Sequence, residues 1–365
     1  MKVFKKILLT LAILLGVVLL AVVGLFTWLT ITEYRPEPVQ PAEIWAPNAG
    51  LETVESVPEP KLDKDTITIL SWNVGYCGLG KESDFFMDGG TQVQPLSDEL
   101  VKKNFFGICE RLMELKPDFL FLQEVDTNSD RSNLTEESSF RSSLNEYVST
   151  FALNFSTKYV PYPWPPIGKV NSGLQTLSRY GITESTRISL PCPFSWPVSM
   201  VNLKRCLLVS RVPIADSDKE LVLVNLHLEA YDSGEGKLAQ SRQLREFVEQ
   251  EYEKGNYVIA GGDWNQIFPK SEKSWPNTHK ELWTPGYLDE AELAEGWRYV
   301  WDASVPTCRL LNQPYDPSDE ANTQYYVIDG FLVSPNLRVE KVETLDEDFS
   351  FTDHNPVQLT LSLGE

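Results

Sequence analysis

Side chains able to bind a cation or move a proton recur at the ends of apolar runs in this chain of 365 residues. They are Asn73 in SWNV, Glu124 in LQEVD, His227 in NLHL, Asp263 and Asn265 in GGDWN, Asp329 in VIDGF, and Asp353 with His354 in FTDHNP. The set is rich in oxygen donors and poor in sulfur. Carboxylates with an amide oxygen suit a hard cation such as Mg²⁺, Mn²⁺ or Ca²⁺, whereas zinc recruits more histidine or thiolate. The chain has three histidines, and two of them stand in these positions. An imidazole beside a carboxylate exchanges protons near neutral pH. A hard cation, carboxylates and two imidazoles are the parts needed for attack of water on phosphorus.

Taken singly, most of these residues have plainer readings. Asn73 could end a strand, His227 could be a satisfied core histidine, and His354 could be a turn residue ahead of Pro356. Asp263 could cap a turn. Glu124 is harder to excuse, because an acid after a buried strand needs a partner or a metal. The ordered recurrence of all of them favours chemistry. His279 lies in a polar loop and joins no motif.

The elements that must position these residues can be read from periodicity. TITILSWNV alternates from Thr66 and reads as a strand. Residues 96–116 carry Leu100, Phe105, Ile108, Leu112 and Leu115 at helical spacing. DFLFLQEV (118–125) is a short apolar run with an acid near its end, the pattern of a buried strand. Further strands are expected at 186–190, 205–211, 221–228, 257–262, 325–333 and 356–362, and a helix at 236–253. Many short strands with few helices imply two packed sheets flanked by helices. No internal repeat is present, and no domain break follows residue 66.

Ahead of that body, Ile7–Ile31 is an uncharged apolar stretch long enough to cross a bilayer. Lys2, Lys5 and Lys6 precede it and Glu33 follows, so the positive-inside rule puts the N-terminus in the cytoplasm. A cleaved signal peptide is the competing reading. Its apolar region would be shorter and end in small residues, which favours an uncleaved anchor here. Residues 1–35 are therefore expected to be the cytoplasmic tip and transmembrane helix, 36–65 a Pro-rich extended linker, and 66–365 the catalytic domain. The expected location is a cell membrane, single-pass, with that domain outside.

Net charge is −20. A body so acidic has no electrostatic footprint for tight, non-specific nucleic-acid binding, although bound cations can reverse the field near a site. Five cysteines show no C-x-x-C spacing, so no zinc or thioredoxin motif is implied. Cys192 and Cys206 flank a Pro-rich turn that a disulfide could bridge; buried free thiols are the commoner arrangement. Two aromatic, Pro-rich segments, 161–168 and 191–200, fit either a cleft wall or a lipid interface.

The order WNV, LQEV, NLHL, GGDWN, VIDG and TDHNP resembles the endonuclease/exonuclease/phosphatase superfamily, including its deoxyribonuclease I-like, sphingomyelinase-like and inositol phosphatase-like branches. The resemblance covers roughly residues 66–362. It implies an α/β fold, a four-layer α/β sandwich of two packed sheets between helices. By the same resemblance Asn73, Glu124 and Asp353 would hold Mg²⁺ or Mn²⁺. His354, with Asp329 as its carboxylate partner, would orient or deprotonate the attacking water. Asp263 and Asn265 would hold the nucleophile and a phosphate oxygen. His227 would contact phosphate or assist the leaving group, a residue that AP endonucleases usually lack. Two departures stand out. Trp264 replaces the family's usual Phe, and LQTLSRYGI (174–182) is only loosely similar to its Ser-Arg-Tyr-Pro stretch. That stretch makes Arg179 a candidate for phosphate contact.

The expected function is metal-dependent hydrolysis of a phosphoester: a lipid head group, a sugar or inositol phosphate, or nucleic acid. Anchoring and acidity favour small or lipid substrates. The alternatives are an extracellular DNase-like nuclease, or a non-catalytic binding module on the same scaffold. No protein partner is evident in the sequence.

Overall fold

The computed structural model describes residues 1–48, 50, 52–319 and 321–364. One long helix, α1 (Lys2–Ile31), precedes the globular body. Besides two small two-stranded sheets, the strands of the body are β1 (Val39–Pro41), β2 (Glu43–Trp45), β3 (Thr66–Asn73), β4 (Phe119–Asp126), β5 (Val148–Val160), β6 (Gly168–Ser178), β7 (Glu184–Ser189), β8 (Cys206–Pro213), β9 (Glu220–His227) and β10 (Tyr257–Asp263). They continue with β11 (Arg298–Val300), β12 (Asp329–Val333), β13 (Leu337–Thr344) and β14 (Val357–Leu363). Three helices flank them: α2 (Asp98–Leu115), α3 (Glu136–Ser143) and α4 (Glu235–Glu253).

The strands form two seven-stranded sheets, ordered β1-β7-β8-β9-β10-β12-β11 and β13-β14-β3-β4-β6-β5-β2. Alternation in each strand decides which side chains meet. Ile67 and Ile69 of β3 and Phe119 and Phe121 of β4 point inward, against Leu221, Leu223, Ile259 and Phe331 of the other sheet. Leu70, Trp72, Leu120 and Leu122 point outward, under Phe105, Ile108 and Leu112 of α2. On the far side Val222, Val224 and Val258 meet Leu244 and Val248 of α4. Central strands buried on both faces read as continuous apolar runs, which is why they were visible in the sequence. The result is the expected four-layer sandwich.

Helix α2 is started by Ser97, whose side chain accepts from the Leu100 N–H, with Asp98 and Glu99 in its first turn. It stops at Lys116, which adopts a left-handed conformation.

Residues 36–65 are not the free linker that their prolines implied. β1 pairs with β7 and β2 with β5, one edge strand for each sheet. Val57 and Leu62 make further bridges to Ile182 and Ile214. Proline is tolerated in such edge positions because no ladder N–H is required there. The long hairpin β5–β6 was also missed. Its buried residues include Thr150, Asn154, Gln175 and Thr176, so no apolar alternation marks it. All five cysteines are free thiols, with Cys192 exposed and the other four buried. Helix α1 meets the length and hydropathy of a membrane span, at mean hydropathy 3.0.

Candidate active site

The parallel pairs β3–β4 and β9–β10 bring their C-terminal ends to one pole of the sandwich. Asn73 ends β3, Glu124 stands near the end of β4, and His227 and Asp263 are cross-strand partners at the ends of β9 and β10. Asp329, at the start of antiparallel β12, is the partner of Asp263 on its other side. Register alone thus assembles most of the set. A polar plug lies between the sheets just below it, where Gln123 donates to the Asn225 side chain at 2.8 Å.

Local backbone geometry then aims the side chains. The β4–β6 register shifts between Leu122 and Val125, and Glu124 within that bulge has φ 55°. A bulge re-aims a side chain at the cost of strain, and a non-glycine residue in the left-handed region needs support from its surroundings. Asn265 has φ 50°, a conformation asparagine tolerates well. Gly262 lets β10 approach β9 closely, since a Cβ there would collide with the Leu226 carbonyl.

The side chains converge. Asn73 Nδ2 donates to Glu124 Oε1 at 3.2 Å and to Asp263 Oδ2 at 3.0 Å. Asp263 Oδ2 also lies 3.4 Å from His227 Nε2 and 3.8 Å from His354 Nε2. His354 Nδ1 is 2.8 Å from Asp329 Oδ2, and its Nε2 is 3.9 Å from Asp353 Oδ2. Trp72 Nε1 donates to the His354 carbonyl at 2.9 Å, and Thr352 to the Asn73 carbonyl at 3.0 Å. The Asn265 N–H donates to Asp263 Oδ1 at 2.9 Å. Asp329 Oδ1 and His227 Nδ1 have no hydrogen-bond partner among the described residues.

Burial dominates the electrostatics. It raises the carboxyl pKa values of Glu124 and Asp353, and takes Asp263 up to about 7 with help from neighbouring Asp329. Burial also holds His227 well below the usual imidazole value, reinforced by Arg205. His354 goes the other way. Burial acts to lower it, but Asp329, Cys308 and Asp353 outweigh that and hold it well above. The two histidines are thus pushed in opposite directions, His227 toward its neutral form and His354 toward its protonated form.

Arg179 does not join this group. It follows β6, and its N–H donates to the carbonyl of Asp118, just before β4, at the opposite end of the sheet from Glu124. There it bonds Tyr147 at 3.0 Å and Glu146 at 2.9 Å. A guanidinium whose charge does reach Glu124 is that of Arg131. It lies 3.7 Å over the Tyr76 ring and bonds both oxygens of Asp126, at 2.9 and 2.8 Å. Nothing in the sequence flagged it beyond a basic residue in the loop after LQEVD. Asp88 and Tyr231 were missed as well. They bond each other at 3.0 Å, and the charges of Glu124 and Asp353 reach both. His279 lies apart, against Glu281 and the Ala321 carbonyl.

The donor set fits a hard cation. Asp353 is buried and Glu124 half-buried, and the charge of Asp353 reaches Glu124. Asn73 bonds Glu124, and among the described residues no lysine or arginine pairs with either acid, Asp353 meeting, among ionisable groups, only His354 Nε2 at 3.9 Å. The geometric cluster of Asp263, Asp329 and His354 is a weaker candidate for a metal. His354 Nδ1 and Asp329 are already committed to each other there.

The family model described as the endonuclease/exonuclease/phosphatase family matches residues 70–354. The chain belongs to that family. Members of the family are generally hydrolases acting on phosphoesters and use divalent metals. Among solved structures, a family protein from Beutenbergia cavernae DSM 12333 is similar at TM-score 0.55 and 19% identity, covering 82% of this chain and 72% of that one. The human Nocturnin catalytic domain with bound sulfate is similar at TM-score 0.51 and 16% identity, over 83% of this chain and 96% of that one. D. rerio TDP2 complexed with a single-strand DNA product is similar at TM-score 0.50 and 16% identity, over 82% and 100%. No curated protein sequence matches significantly. At these identities the likeness to solved structures speaks for the fold.

Proposed function

We propose that this protein is a divalent-metal-dependent phosphoester hydrolase that acts by attack of water on phosphorus, with α1 as its single-pass anchor and the catalytic domain, which takes in residues 39–45 as well as 66–365, outside the cell membrane. The observation that carries the reading is the shared carboxylate of Asp263, set 3.4 Å from His227 Nε2 and 3.8 Å from His354 Nε2, two imidazoles whose surroundings push their pKa values in opposite directions. Asn73, Glu124 and Asp353 would hold Mg²⁺ or Mn²⁺. Such a cation, when bound, neutralises charge that develops on the phosphoryl oxygens.

The remaining work falls to the chain's own side chains. Asp263, raised to about 7, is poised near the pH where a general base is most effective, and takes the proton of the attacking water. Asn265 is fixed beside it by its backbone N–H, its side-chain amide donates to the Leu228 carbonyl at 2.9 Å, and from there it would meet a phosphate oxygen. His354 is oriented by Asp329, whose charge keeps the imidazole protonated and able to meet an anionic oxygen. His227, pushed toward its neutral form and with Nε2 3.4 Å from Asp263, would contact phosphate or assist the leaving group. Arg131, rather than Arg179, supplies the guanidinium for phosphate contact.

Small or lipid phosphoesters suit the reading better than duplex DNA, because the net charge of −20 repels a long polyanion. The test is a panel of bis-p-nitrophenyl phosphate, p-nitrophenyl phosphate, sphingomyelin, inositol phosphates and plasmid DNA, assayed with Mg²⁺ or Mn²⁺. Hydrolysis that stops on chelation is expected, strongest on small or lipid substrates. Turnover indifferent to chelation, or confined to plasmid DNA, would contradict the reading.

A further inference from the structure

The C-terminal turn of α1 does not hang free of the body. Leu29 is buried, and the Phe26 ring meets Trp196 edge-on at 6.2 Å between centroids. Trp196 Nε1 donates to Thr30 Oγ1 at 3.1 Å, and Thr30 in turn reaches Met200. Just past the helix, Lys204 Nζ bonds Glu33 at 2.9 Å and the Ser199 carbonyl at 2.8 Å. Glu33 also holds Arg35. The junction is therefore a packed, ion-paired joint rather than a swivel.

That joint sits at the same pole as the active site. Its body side is the β7–β8 connection, which enters β8 at Cys206, beside the end of β9 that carries His227. Arg205 donates to the His227 carbonyl itself, at 3.5 Å. The tip of the β5–β6 hairpin also lies at this pole, because β6 runs antiparallel to β4 and Ser172 pairs with Asp126 beyond Glu124. That tip bears Trp164, 88% exposed, and Tyr162, 72% exposed, the two most exposed large apolar side chains of the globular body among the described residues. Tyr162 packs edge-on to Phe86, and Trp196 and Val198 are exposed nearby on the other connection. Aromatic side chains so placed gain by entering the interfacial layer of a bilayer.

We propose that this pole rests on the bilayer that α1 crosses, so that the cleft opens onto the membrane surface and takes phosphoester head groups presented there rather than solutes from bulk water. The proposal rests on the anchored-hydrolase reading above and specifies its substrate class. The occupant of the aromatic surface is the membrane, because the helix that would enter it is seated on one of the aromatic loops. A zwitterionic surface fits best, since a chain of net charge −20 is repelled by an anionic one.

The test reads geometry without turnover. The full chain is reconstituted in phosphatidylcholine vesicles containing a doxyl-labelled phosphatidylcholine. Cys192→Ser removes the exposed thiol, the other four being buried. Trp164→Cys, or Tyr162→Cys as a second probe of the same tip, then carries a bimane label. Asp218→Cys, in the highly exposed β8–β9 turn at the opposite pole, serves as the distal probe. Quenching by the doxyl lipid is expected to be about threefold or more stronger at 164 and 162 than at 218, with aqueous iodide showing the reverse order. Equal lipid quenching at the two poles, in protein that floats with the vesicles, overturns the facing and leaves both anchor and hydrolase readings standing. Protein that fails to float overturns the anchor and the facing together.

Discussion

At the pole away from the cleft, Arg211 meets Glu251 at 2.8 Å and Glu220 at 3.1 Å, and Lys64 meets Asp118 at 2.7 Å. At the cleft pole the guanidiniums near Glu124 and Asp353 are engaged elsewhere. Arg131 is bonded to Asp126, and Arg309 to the carbonyls of Gly80, Ser83 and Gln313. The same residue types therefore titrate in opposite directions. Burial disfavours the Glu251 carboxylate, but Arg211, Lys254 and Asn256 outweigh it and bring the group down to about 2. Asp263 is driven up to about 7. Far from the cleft the acids Glu251 and Asp118 are paired with cationic side chains, whereas in the cleft Glu124 and Asp263 meet no lysine or arginine among the described residues, an arrangement that costs stability and is characteristic of functional sites.

The sharpest way to break this contrast is to remove a cleft side chain. Glu124→Ala and His354→Ala should each lower kcat on the best substrate by about three orders of magnitude or more, because such groups act as a unit. Near-normal turnover in either would remove that residue from the mechanism. A comparable insult at the far pole should spare catalysis and hit stability. Arg211→Met leaves Glu251 and Glu220 without their guanidinium, and should cost about 3 kcal/mol in chemical denaturation at pH 7 with kcat unchanged.

The pH dependence should carry opposite signs at the two poles. Glu251 has a depressed pKa, so its contribution is complete above the unfolded value of about 4.5 and is lost as pH falls toward about 2. Asp263 has a raised pKa, so the folded state binds more protons between the ordinary carboxyl value of 3.8 and about 7. Its ionisation therefore lowers stability as pH rises through that window. Asp263→Asn should make the metal-free protein more stable at pH 8 by about 1–4 kcal/mol while abolishing turnover. A loss of stability in that variant would show the acid to be structural. The smallest effects separate the two arginines. Arg131→Met should raise KM about tenfold, whereas Arg179→Met should leave kcat and KM within about twofold.

Much of the cleft was legible because each member closes an apolar run, and parallel pairing of neighbouring strands then aligns those ends. Asn73, Glu124, His227 and Asp263 follow from that rule. Arg131 does not, since its place depends on how the loop after β4 folds back onto Asp126. Arg179 misled because it follows a strand as the others do, but β6 is antiparallel to β4, so its end points to the wrong pole. Residues 39–45 were hidden by prolines that edge strands accept. The β5–β6 hairpin was hidden by polar residues buried between and beneath the sheets.

The most direct test of the contrast is calorimetric titration of Mn²⁺ into the purified full chain, run beside Glu124→Ala. If the unpaired acids of the cleft are held for a cation, the wild-type protein binds Mn²⁺ saturably and releases protons as it does so, and the variant shows neither. Equal binding by both proteins, or binding by neither, would contradict the account.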